Sequence, residues 1–148
     1  MDIIIDLIKN NKNIKYETKD DKLYIYNKEN NNYIEIIKIT YSSNKDSFIE
    51  YIISFSSQHH HFKDNIEEIL EYIKDIMNDQ VLPIEFYSND KNRFGSEISF
   101  ELFNNLSIKS LANYFGYSED YISTFEFEIH SWTGKYDIKR TPVINLSK

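Results

Sequence analysis

Four stretches in the first 57 residues carry strand-type patterning, and nothing of helical length separates one from the next. Parallel neighbours need a crossover of a dozen or more residues, whereas antiparallel neighbours need only a turn. The segments Ile14–Lys19, Leu23–Asn27, Tyr33–Tyr41 and Phe48–Ser57 therefore predict an antiparallel meander. Asp20-Asp21, the polar run Lys28–Asn32 and the run Ser42–Asp46 supply the connections. In the fourth segment Ile49, Tyr51, Ile53 and Phe55 share one face, while Phe48, Glu50, Ile52 and Ser54 share the other. A half-buried strand produces that split. The many aromatics, 12 Tyr and 10 Phe against three Gly and two Pro, suit pleated surfaces.

The pattern changes period at Asp64. Ile66, Ile69, Leu70, Ile73, Ile76 and Met77 recur at i, i+3, i+4 and i+7, which makes one apolar stripe along a helix spanning Asp64–Asp79. Asp64 is positioned as its N-cap, with Glu67 reaching back, and acids in the first turn suit the helix dipole. Val81–Tyr87 reads as a strand in which Pro83 marks an edge or a bulge. Ile98, Phe100 and Leu102 alternate with Glu97, Ser99 and Glu101, the pattern of a one-faced strand, and Gly95 before it marks a bulge or a close approach. A second helix runs from about Ser107 to Phe115, capped by Ser107 and stopped by Gly116. Ile122–His130 and Tyr136–Arg140 form a closing hairpin, after which the tail from Thr141 is ordered in part. Ile3, Ile4, Leu7 and Ile8 sit at the spacing of a short N-terminal helix, and their Ile-rich content also fits a strand. Because strands follow strands, the expectation is α+β. At 148 residues the chain forms one domain: a twisted antiparallel sheet packed against the helix from Asp64, with one or two shorter helices.

Several function classes drop out on composition. Cysteine is absent, so no disulfide, thiol nucleophile or thiolate metal site can form. No apolar run approaches the roughly 20 residues that cross a bilayer. The start, MDIIIDLIKNNKN, lacks a basic n-region and a small-residue cleavage site, so the expected compartment is the cytoplasm. Gly95, Gly116 and Gly134 are too widely spaced for a phosphate loop, and no Gly-x-Ser-x-Gly elbow exists, so no nucleotide cofactor or serine nucleophile is expected. Net charge is −7, and the excess is local: Asp64–Glu101 holds ten acids against Lys74, Lys91 and Arg93. Nucleic acid is a poor partner for such a chain, whereas a basic protein is steered towards it.

Two sets of side chains are candidates for chemistry. His59 and His61 point to one side of an extended backbone, where they can share a metal ion, and His130 on the polar face of the last hairpin can join them. The competing arrangement leaves these as loop histidines beside the helix start. Glu97/Glu101 and Glu126/Glu128 are carboxylate pairs on single strand faces, but nothing in the sequence suggests a cleft, and a solvated polar face explains them at less cost. For binding, the candidates are the acids of the helix, Glu67, Glu68, Glu71, Asp75 and Asp79. Trp132, at a hairpin tip, joins them as an aromatic anchor unless its indole folds back onto the sheet.

The run ISFSSQHHHF, the helix IEEILEYIKDIMNDQ and the pair VLPIEFYSNDKNRFGSEI together resemble small bacterial proteins of toxin–immunity loci. The resemblance covers about a third of the chain, with His59, His61 and Phe62 before the helix and Phe94 and Gly95 after the turn. It implies a non-enzymatic binding protein that blocks a cognate toxin, here through an acidic surface. The alternative expectation is a metal-dependent hydrolase built on His59 and His61.

Overall fold

The computed structural model describes residues 1–42 and 46–146. Most of the expected Ser42–Asp46 connection, residues 43–45, and the last two residues of the tail lie outside the described residues. The chain is α+β and divides into two compact units, Met1–Asn78 and Asp79–Lys148. The single sheet expected from the sequence is here two, one of five strands and one of four, each antiparallel throughout.

In the first unit, helix α1 (Asp2–Ile8) precedes β1 (Ile14–Lys19), β2 (Lys22–Asn27), β3 (Tyr33–Ser42), β4 (Ser47–Phe55) and β5 (Gln58–Lys63). They pair in sequence order, as a meander must when every connection is short. Asp20, Asn31 and Ser56 adopt positive φ in the turns. Asn and Asp tolerate that region because their short polar side chains bond locally. The fifth strand is the main departure from the expected layout. Residues 56–57 reverse the chain, so the histidine run pairs with β4, with Ser54 opposite His59 and Ile52 opposite His61. Helix α2 (Ile66–Met77) follows and buries Ile69, Ile73 and Ile76. Its Tyr72 lies against His60 and Phe62, ring centroids 4.9 and 5.2 Å apart. The cap is Asn65 and not Asp64: Asn65 keeps a non-helical backbone, and its Oδ1 accepts from the Glu68 amide at 3.3 Å. The Glu68 carboxylate in turn accepts from Asn65 Nδ2 at 3.2 Å, so the residue pair of the expected cap is shifted by one position.

The second unit orders its strands β7-β6-β8-β9, from β6 (Val81–Ser88), β7 (Lys91–Ser99), β8 (Glu126–Ile129) and β9 (Ile138–Pro142). Helices α3 (Phe100–Asn104), α4 (Ile108–Phe115) and α5 (Glu119–Ile122) lie between β7 and β8, and a 3-10 turn (Val143–Asn145) follows β9. Leu82, Ile84, Phe86, Ile98, Leu111, Ile122, Phe127 and Ile129 are among the side chains that build its core. Phe86 sits at the centre, stacked on Phe94 at 4.6 Å and edge-on to Phe115 at 5.2 Å. Helix α4 behaves as its residues dictate: Ser107 and Ser110 cap each other's backbone amides, and Gly116 ends it at φ +70°.

Three expectations in this unit are corrected. The alternation through Phe100 and Leu102 does not continue β7; Ser99 Oγ accepts from the Leu102 amide at 3.2 Å and starts α3 instead. Phe100 and Phe103 then stack, and both meet the ring of Tyr136. Pro83 lies in a central strand and not at an edge. It sits just outside the first β6–β8 pair, and its carbonyl accepts the His130 N–H at 3.0 Å. The bulge falls between Phe86 and Tyr87, opposite Arg93, while Gly95 pairs regularly with Glu85.

Candidate functional site

The exposed side of α2 is formed by its sequence period. Burial of Ile69, Ile73 and Ile76 forces Glu67, Glu71 and Asp75 onto one outward row and Leu70, Lys74 and Asn78 onto the next. These six line a shallow depression. Glu67, Glu68 and Glu71 are exposed, Asp75 is half-buried, and Leu70 contributes a half-buried apolar point between the rows. Lys74 is the one base on this face. Among the described residues, no ion pair engages Glu67, Glu71 or Asp75.

Asp79 and Trp132 do not belong with that face. Asp79 follows the helix at φ +54° and is only 3% exposed. Its carboxylate accepts from the Thr133 amide at 3.1 Å and from the Thr133 hydroxyl. Trp132, next to Thr133 in sequence, is 4% exposed, so the indole is folded in and offers no anchor. Asp137 fixes the same loop by accepting from the Ser131 amide at 2.7 Å and the Ser131 hydroxyl at 2.9 Å. Asp79 thus acts in the internal architecture of the second unit, and Trp132 is buried.

His59 and His61 share one side of β5, as an extended backbone requires, with ring centroids 5.4 Å apart. His61 Nδ1 stands 2.9 Å from Oε1 of Glu50, and Oε2 of Glu50 accepts from the Tyr41 hydroxyl at 2.8 Å. These hydrogen bonds, His61 first, hold the Glu50 carboxyl below its ordinary value. The arrangement is an exposed strand-face network.

The convergent group is elsewhere. Glu85 on β6 pairs directly with Glu128 on β8, so their side chains leave the same face, and His130 follows Glu128 by two residues. One donor atom from each of Glu85, Glu128 and His130 lies within 4.8 Å of the others. Of the three histidines named from the sequence, His130 belongs to this set, and His59 and His61 lie on β5 of the first unit. Tyr87, two residues from Glu85, donates its hydroxyl to Glu85 Oε2 at 2.7 Å and also contacts Glu128 Oε1. Asn92 Nδ2 donates to the same Glu85 oxygen at 2.6 Å, and His130 Nε2 is 3.4 Å from Glu128 Oε1. Arg140 lies over the Tyr87 ring, 3.6 Å from its centroid, and reaches Asp90 at 3.2 Å. Burial, then the two carboxylates, push the Tyr87 phenol well above its ordinary value.

Glu126, Glu128 and His130 were legible as a polar strand face, but Glu85, Tyr87 and Asn92 were not singled out. Their signal was present: Glu85 is a charged residue inside the run VLPIEFY, buried to 6% exposure. A buried charge needs a partner, and that need marks a site more reliably than an exposed acid does. Glu97 and Glu101 separate, one on β7 and one in the first turn of α3.

No family model, curated protein or solved structure matches the chain. Among the described residues, no helix is long and apolar enough to cross a membrane.

Proposed function

We propose that the chain is a binding protein of the immunity type, which neutralises a basic protein partner, a cognate toxin, through the outward face of α2. The observation that carries this reading is the row Glu67, Glu71 and Asp75 beside Leu70: three carboxylates without ion-pair partners among the described residues, bordering an apolar point. Uncompensated acids are solvated at modest cost in the free protein and gain most when a basic surface approaches. Leu70 supplies the desolvated centre that charge alone lacks. Such a face raises association rate and selectivity by steering, so binding weakens with salt. The likeness of residues 53–98 to toxin–immunity proteins supports the same reading, with α2 at the middle of that stretch.

The test is capture of the partner from cells of the source organism at low and high salt. Wild-type protein is compared with a variant carrying Glu67→Lys, Glu71→Lys and Asp75→Lys. A basic protein held by the wild type at low salt, released at high salt and missed by the variant is the expected result. That partner, expressed alone, should arrest growth, and co-expression of the wild-type chain should restore it. Capture of the same partner by the variant with unchanged salt dependence would refute the role of α2.

A further inference from the structure

We propose that Glu85, Glu128 and His130 bind one divalent transition-metal ion, with Zn²⁺ and Mn²⁺ as the chemical candidates. The set is independent of the α2 face. Two carboxylates and an imidazole form a mixed oxygen and nitrogen donor set, which suits those ions better than Ca²⁺ or Mg²⁺. Ligands on one such ion, each about 2.0–2.2 Å from it, stand no more than about 4.4 Å apart. The donor atoms here lie within 4.8 Å of one another, so movements of a few tenths of an ångström close the site.

The placement of charge points the same way. Glu85 is 6% exposed, and Glu128 pairs beside it on the next strand. Two carboxylates held side by side attract a positive charge. Arg140, the guanidinium of this cluster, is engaged with the Tyr87 ring and Asp90. Tyr87 has a single hydroxyl proton and contacts both carboxylates, so it satisfies one of them at a time. A metal ion between the carboxylates and His130 would place a positive charge between all three. Tyr87 and Asn92 would then be positioning residues: both donate to Oε2 of Glu85 and fix the plane of that carboxylate. The side chains of His130 and Glu128 are 38% and 22% exposed, which leaves the ion a way in from solvent.

The full chain, freed of any affinity tag and stripped with chelator, is titrated calorimetrically with Zn²⁺ and separately with Mn²⁺. One equivalent of at least one ion is expected to bind. Glu128→Gln and His130→Ala should each lower its affinity at least about tenfold. His59→Ala combined with His61→Ala should leave it unchanged. Both cluster substitutions are at partly exposed positions, and far-UV circular dichroism checks that each variant is folded. Should either fail to fold, the wild type decides: Mn²⁺ resonance reports a bound or a free ion, and the melting temperature of wild-type protein should rise with added metal. No stoichiometric binding of either ion overturns the proposal. So does binding that either cluster substitution leaves intact, or binding that the His59/His61 variant abolishes.

Discussion

Replacing Tyr87 by Phe separates the polar role of the residue from its packing. The ring is 7% exposed and carries Arg140 on its face, and Phe keeps both contacts. What disappears is one hydroxyl proton placed between Glu85 and Glu128. A hydrogen bond to a charged group is worth about 1.5–3 kcal/mol, and among the described residues Asn92 and His130 remain as partners of these carboxylates. Tyr87→Phe should therefore cost about 1.5–3 kcal/mol, which at a urea slope of roughly 2 kcal/mol/M lowers the midpoint by about 1 M. The measurement is urea unfolding at neutral pH in chelator. A second arm uses alkali. The Tyr87 phenol is held above its ordinary value in the fold, so above about pH 10 the unfolded chain loses a proton that the native state retains. The unfolded state then binds fewer protons, stability falls as pH rises, and the gap between wild type and Tyr87→Phe narrows; the other tyrosines cancel in the difference. A neutral-pH loss below about 0.5 kcal/mol, or a gap that widens in alkali, would refute the reasoning.

Trp132 is the single tryptophan and is buried, so native fluorescence should be blue-shifted and shielded from a soluble quencher, moving to the red on unfolding. An exposed emission in the native protein would contradict the placement of the loop. Gly116→Ala forces a side chain into φ +70° at the end of α4, where nothing lies within 4 Å, so backbone strain alone should cost about 1–2 kcal/mol in thermal unfolding. Ile73→Ala removes a fully buried side chain of α2 and should cost about 2–5 kcal/mol, whereas Glu71→Lys on the opposite side of the same helix should change stability by less than about 0.5 kcal/mol. His61→Ala removes the main partner that holds Glu50 low, so a carbon-detected titration should show that carboxyl move back up towards its ordinary range. In the wild type the associated stability is present above the ordinary carboxylate value and is lost as pH falls through the native one.

Local chemistry was readable wherever local chemistry decides. The turns at Asp20-Asp21 and after Gly116, the cap at Ser107 and the burial of Ile69, Ile73 and Ile76 follow from neighbours within one or two turns of chain. The stretch from Ser99 to Phe103 was misread for a related reason. Its alternation fits a strand, but a capping serine and two phenylalanines that meet a distant Tyr136 favour a helix. The histidine run became a strand because β4 offered it a free edge, and pairing of that kind has no signature in the run itself.

For this protein the sequence alone determined the α+β class, the antiparallel connectivity and the acidic outward row of α2, since periods of 2 and 3.6 and short connections specify them. Only the tertiary structure decided that the strands divide between two sheets, that Asp79 and Trp132 turn inward, and that Glu85 meets Glu128 and His130. Those outcomes depend on register between residues more than forty positions apart. A one-residue slip would send every side chain of β8 to the opposite face, and nothing local to either strand encodes that choice.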